Sequence, residues 1–326
     1  MPDLLSAQEM MTETPAQILT ESRDEALSIH LRCTRCHARM DGSHCRHCGF
    51  RMIVEDDIVR ALPAERVAHY ARFVADYERI RAAEGRGSQT EHYYLGLPYK
   101  DATGRNSDQW RIRARSFNCL FEQVLRPMKV RTVLDLGAGN CWMSYRLALA
   151  HYEPVAVDLL TNNHDGLGAA IHYRHQLSKA VPRFQAEAAN LPFEDEQFDA
   201  VIFNASFHYA EDYETVLREA LRCVKRGGIV IISDTPWYSH EESGMRMVAE
   251  RQAMFLKHYG TASHALSSQE FLTDGRLALL AEQCGIRWEI FYPKFGVRWA
   301  LRPWLAKVRR RREPSRFRIY VARKHA

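Results

Sequence analysis

Between residues 130 and 235, short apolar runs alternate with stretches whose apolar positions recur every three to four residues. The runs have strand composition, and the three-to-four spacing is that of amphipathic helices. Extended along the chain, this pattern predicts strands at 131–136, 154–158, 183–187, 198–204, 228–234, 286–292 and 316–323. It predicts helices at 141–150, 166–178, 211–224 and 267–284, the last opened by a Ser267-x-x-Glu270 capping box. Alternation of this kind implies a mainly parallel sheet with helices on both faces and a ligand at the carboxyl ends of the strands. The last two predicted strands suit an antiparallel hairpin at one edge.

Upstream the pattern changes. Residues 1–28 are polar, mildly acidic and aperiodic, which reads as a disordered tail. Pro63 and Glu65 open a helix over 63–84 that places Val67, Tyr70, Phe73, Val74, Tyr77 and Ile80 on one face. An aromatic and basic connector follows, with Tyr93, Tyr94 and Tyr99, then Trp110, Arg111 and Arg113. It is either a lid over the ligand or packing between domains. The expected domains are thus a tail (1–28), a cysteine-rich unit (29–58), a helical connector or lid (59–125) and the alternating domain (126–326).

In this chain of 326 residues, 46% are apolar, as in ordinary globular proteins. No apolar run is long enough to span a bilayer and no secretory signal opens the chain, so a cytoplasmic location is expected. The net charge of +5 conceals an asymmetry. Ten Lys or Arg and one Glu fall in 302–326, leaving 35 basic and 39 acidic residues elsewhere. Trp299, Leu301, Trp304, Leu305 and Val308 interleave there with Arg298, Arg302, Lys307 and Arg309–Arg312. A stretch of this kind grips phosphates, lies in a membrane interface, or is a solvated charge run beside core tryptophans.

Four of the eight cysteines have metal-ligand spacing. Cys33/Cys36 and Cys45/Cys48 form two CxxC knuckles with eight residues between them. Two such turns close a tetrahedron around Zn²⁺, and four thiolates leave no open position, so a structural zinc ribbon is expected. His37, His44 and His47 crowd the same loop as surface residues.

The candidate chemistry converges on the strand ends. Asp135-Leu136-Gly137-Ala138-Gly139 closes the first strand of the alternating region, and a glycine turn there brings backbone amides and a helix start up to a ligand. Asp158 ends the next strand, 21 residues after Gly137, where a carboxylate accepts the two hydroxyls of a ribose. Glu187 ends the third. Trp142 stands where a dinucleotide turn has its last glycine, which argues against NAD, and no Gly-Lys-Ser/Thr follows to make a Walker loop.

Four ordered stretches resemble class I S-adenosylmethionine-dependent methyltransferases, particularly the type 11 group. They are VLDLGAGN (133–140), PVAVD (154–158), AEAANLPFEDEQFDAVIFNASFHY (186–209) and LREALRCVKRGGIVIISD (217–234), within 115–235. Val54–Ile58 is similar to the tail that follows ribbons fused to such enzymes. The resemblance implies a Rossmann-like, doubly wound, seven-stranded α/β fold with S-adenosylmethionine as cofactor. It implies that Asp135, Gly137, Ala138 and Gly139 hold the methionine end, Asp158 the ribose, and Glu187 with Ala188 the adenine. Asn204 then lines the methyl-donor side. Cys141 replaces a third glycine, as a small residue filling a tight turn or, more remotely, as a nucleophile. His208 and Tyr209, just past the fourth strand, are the expected catalytic pair, with His208 a candidate base of near-neutral pKa; His172-Tyr173 and Tyr93-Tyr94 are weaker candidates. The type 11 resemblance favours a small-molecule or lipid-like acceptor. The alternatives are an RNA base methyltransferase that uses ribbon and basic tail, and a non-catalytic partner-binding module; no Pro-Pro-Tyr-type motif follows the fourth strand.

Overall fold

The computed structural model describes residues 29–87 and 89–325; the tail expected at 1–28 lies outside them. In chain order the elements are β1 (Ile53–Glu55), β2 (Ile58–Arg60), α1 (Ala64–Ala83), α2 (Glu91–Gly96) and α3 (Ser107–Leu120), the last prolonged by a π turn over Phe121–Leu125. Next come β3 (Thr132–Leu136), α4 (Trp142–Leu149), β4 (Glu153–Asp158), β5 (Arg183–Gln185), β6 (Phe198–Asn204), α5 (Tyr213–Cys223) and β7 (Val224–Ser233). The chain continues through α6 (Glu241–Tyr259), α7 (Asp274–Cys284), β8 (Trp288–Phe291), α8 (Val297–Ala300), α9 (Arg302–Val308) and β9 (Ile319–Arg323).

All seven expected strands form, in one Rossmann-like sheet ordered β1-β2-β5-β4-β3-β6-β7-β9-β8. Strands β5, β4, β3, β6 and β7 run parallel. β9 enters antiparallel between β7 and β8, which makes the terminal hairpin edge. All five residues of β3 are buried, as a central parallel strand requires. Its alternate residues feed two cores: Leu134 and Leu136 face Val155, Val157, Phe184 and Phe193, while Val133 faces Ala156, Ile202, Trp142 and Trp110.

The sheet has nine strands rather than seven, because the segment read as the tail of the ribbon is a hairpin, β1–β2. Asp56 and Asp57 both have positive φ (54° and 57°), the backbone that a two-residue hairpin turn between right-twisted strands needs. β2 then pairs parallel with β5, placing Val59 opposite Phe184. The cysteine-rich unit therefore shares a sheet with the alternating domain. Its Cys33, Cys45, Met40 and Met52 belong to the same buried cluster as Phe184 and Phe193.

Two helix expectations are corrected. Residues 167–176 form successive 3₁₀ turns rather than an α-helix. Gly168 packs so closely there that a Cβ would lie 2.1 Å from Asn163 Oδ1. α7 begins at Asp274 and not at 267, capped by the Thr273 hydroxyl, which accepts from the Arg276 amide at 3.2 Å. Glu270 caps nothing; its carboxylate is ion-paired with Arg251. α6 was not expected, and only Gly244 of its 19 residues is buried, so it carries no broad apolar stripe to reveal it.

Candidate active site

At the end of β3 the chain turns through Gly137-Ala138-Gly139, and the amides of Gly137 and Ala138 donate to the Val157 carbonyl at 2.8 and 3.1 Å. Gly137 has φ 75°, and a Cβ there would lie 2.2 Å from the Ser206 Cβ. Glycine at this point is thus demanded by the loop after β6 as well as by any ligand. Asp158 closes β4. One of its oxygens accepts from the Gly139 amide and the other from the Leu160 amide, both at 2.8 Å. Burial pushes its carboxyl up to about 6. Asp135, also buried, accepts from the Ser144 hydroxyl at 2.7 Å, and burial raises it to about 7.

Cys141 opens α4 with φ 61°, the left-handed region where glycine is free of strain. Its side chain is fully buried, and burial raises its thiol pKa, which opposes nucleophilic reactivity.

Asp135, Gly137–Gly139 and Asp158 form the floor of a cavity of about 260 Å³. Its wall is α1, which presents Arg66, Tyr70, Phe73, Tyr77 and Arg81 on one face, at the spacing of a helical stripe. Each end of that face is fastened to the floor. Arg66 Nε and the Tyr70 hydroxyl reach the Glu187 carboxylate at 2.9 and 2.8 Å. Arg81 pairs at 2.5 Å with Asp165, which also accepts from the Asn140 amide at 3.4 Å. Glu187 does line the cavity, but its carboxylate is already engaged before any adenine arrives. Arg66, Arg81 and Asp165 were missed in the sequence, since each acquires its role only from a partner far along the chain.

Ala188, Asn204 and Tyr209 also line the cavity. The Tyr209 ring meets Phe73 and Tyr77 edge-on, with centroids 5.9 and 5.7 Å apart. His208 is turned elsewhere. It is not among the lining residues, its Nδ1 is buried without a hydrogen-bond partner, and burial, reinforced by Arg251 and Arg113, lowers it to about 4. A ring so placed is neutral near pH 7 and does not line the cavity. His172 stacks on Tyr94 and Tyr173 on Tyr145, so both serve packing. Trp110 and Arg113 of α3 complete the wall, and Arg113 lies over the Trp110 ring at 5.1 Å.

The four knuckle cysteines converge as their spacing predicts, with all four sulfurs within 4.8 Å of one another. Cys33 and Cys48 are 3.6 Å apart and Cys36 and Cys45 3.4 Å. Sulfurs bound tetrahedrally to zinc at about 2.3 Å lie roughly 3.8 Å from each other, so the donor set fits that ion. His37 and His47 are exposed, and neither they nor His44 joins the cluster. The unit docks on the loop after β5. Leu31 bridges Phe193, the Arg32 amide donates to the Pro192 carbonyl at 3.0 Å, and Asn190 donates to the Thr34 carbonyl at 2.5 Å.

Residues 134–232 match the methyltransferase domain family. The chain is 27% identical over 184 residues to a demethylmenaquinone methyltransferase of Bacillus licheniformis, covering 53% of this chain and 78% of that enzyme. It is 26% identical to a malonyl-[acyl-carrier protein] O-methyltransferase of Geobacter sulfurreducens over 47% of this chain and 52% of that one. A fatty-acid O-methyltransferase of Mycolicibacterium smegmatis is 30% identical over 32% of this chain and 37% of its own length. The chain thus spans about half or less of the latter two relatives. Residues 134–232 are thus a methyltransferase domain similar to those of these relatives.

Proposed function

We propose that the protein methylates a small-molecule or lipid-like acceptor, and that Cys33, Cys36, Cys45 and Cys48 hold a structural Zn²⁺. The observation that carries the first reading is the cavity, where a strand-end carboxylate and a glycine turn face an aromatic wall. Each Asp158 oxygen accepts one backbone amide and keeps a lone pair free, so the carboxylate can receive both hydroxyls of a ribose. Ala188, beside Glu187, borders the adenine end. Arg66 and Tyr70 fix Glu187, and so set the edge against which a base would lie. Gly137–Gly139 and Asp135 border the methionine end.

The cofactor supplies an electrophilic methyl group on a sulfonium. The protein's part is to hold an acceptor in line with it and to exclude water. Phe73, Tyr77, Trp110, Trp142 and Leu266 give the space an apolar lining suited to a hydrophobic acceptor. The three relatives, named for demethylmenaquinone, malonyl-[acyl-carrier protein] and a fatty acid, agree with that chemistry. Burial raises the pKa of the Tyr209 hydroxyl, so it stays protonated and acts as a positioning donor, not as a base. His208 does not line the cavity, so no role in proton removal is proposed for it.

Calorimetry with S-adenosylmethionine, followed by transfer of its labelled methyl group to quinols, fatty acids and acyl thioesters, tests this. Saturable binding and label in the solvent-extractable product are expected. Absence of binding would overturn the enzyme reading, and label entering only RNA would overturn the acceptor class.

A further inference from the structure

The basic, aromatic stretch before β9 takes no part in the site just described. It folds as two short helices in series, α8 and α9. Leu301 between them is itself in the right-handed helical region, and its amide donates to Val297 while its carbonyl accepts from Leu305. Pro303, without an N–H, interrupts the hydrogen bonding but not the path.

The two sides of this helical segment differ sharply. Inward, Trp299 stacks on Phe317 with centroids 5.8 Å apart and contacts Phe295 at 4.9 Å, while Arg302 covers its other face at 3.8 Å. Outward, Val297, Leu301, Trp304 and Val308 follow one another by four, three and four residues, a single helical stripe. All four are exposed, by 76%, 48%, 62% and 62% respectively. A stripe that fits a buried helix face has thus been left in water. Around it stand Arg298, Lys307, Arg309, Arg310 and Arg311, all exposed and none ion-paired among the described residues. Arg312, by contrast, pairs with Glu250.

We infer that this stripe is a docking surface for an anionic lipid bilayer. Aliphatic residues and a tryptophan enter the interface between headgroups and chains while the flanking cations meet lipid phosphates. A polynucleotide would reward the cations but not Val297, Leu301 and Val308, so the apolar stripe decides between the two. The segment is tied to the cavity wall: Arg115, on the helix that carries Trp110 and Arg113, donates to the Phe295 carbonyl. The inference stands apart from the methyl-transfer reading, because it concerns only where the protein resides.

Flotation of the whole protein with vesicles of phosphatidylcholine alone, or mixed equally with phosphatidylglycerol, tests it. Binding is expected to the mixed vesicles, to fall as salt is raised, and to be weak on phosphatidylcholine. The double substitution Trp304→Ser, Val308→Ser should lower partitioning by about tenfold or more, with the circular dichroism spectrum unchanged. Brominated lipids should quench the wild type more than Trp304→Phe, placing that ring in the bilayer. Failure of the wild type to float would overturn the inference, as would flotation unaffected by the double substitution. Binding to single-stranded RNA but not to vesicles would assign the surface to a polynucleotide instead.

Discussion

The floor and the wall of the cavity are built in opposite ways. The floor is local: β3, its glycine turn, β4 and Asp158 lie within 27 residues of sequence, Thr132 to Asp158, and hold one another by backbone hydrogen bonds. The wall comes from α1 and α3, and it is fixed by charged side chains to partners far along the chain. Arg66 is 121 residues from Glu187, and Arg81 is 84 residues from Asp165. Local architecture leaves a motif in the sequence, whereas architecture made by distant ion pairs leaves only isolated arginines.

The comparison breaks most easily at the wall. Arg81 and Asp165 have side chains only 15% and 10% exposed, so Arg81→Met strands a buried carboxylate. We expect a loss of about 3 kcal/mol in urea unfolding; a change within error would mean that the pair is merely superficial. On the floor, Asp158→Ala should weaken S-adenosylmethionine binding about a hundredfold by calorimetry while leaving the fold intact. An unaltered affinity would place the ribose elsewhere. The same carboxylate predicts a pH dependence. Raised to about 6 by burial, it is ionised above that value and protonated below it. Through this group, cofactor affinity should fall about tenfold from pH 7 to pH 5. Asp158→Asn should flatten that profile. The smallest effect is expected from His208→Gln, which should leave kcat within about twofold, since the ring does not border the cavity; a loss of a hundredfold would return it to the mechanism.

The difference also explains which parts of the molecule were readable. Strand periodicity located all seven strands of the alternating region, most clearly the parallel ones such as β3, which are buried on both faces and read as continuous apolar runs. Asp158 and the glycine turn were readable because backbone geometry dictates them. The α1 stripe was visible as an amphipathic pattern, but that pattern does not distinguish a face packed on a core from one turned into a cavity. The Val54–Ile58 hairpin was hidden because two-residue turns built on Asp56-Asp57 resemble any polar break. His208, expected beside the site, does not line the cavity, because position after a strand says which residues are near a site, not which way a ring turns. The helix 241–259 buries almost nothing, so its sequence had little reason to show a face.

The β1–β2 hairpin has a consequence for how the chain is assembled. Arg60 and Gln185 are partners across the β2–β5 pair, yet 125 residues of chain separate them. During synthesis the knuckles and their hairpin are complete long before β5 leaves the ribosome. Their four thiols can gather an ion while the rest of the sheet does not yet exist. The pairing of β2 with β5 is therefore a contact distant along the chain, of the kind that closes late in folding. The hairpin also covers the border that β5 would otherwise present and replaces it with β1, a strand of only three residues, and short edges are poor templates for aggregation.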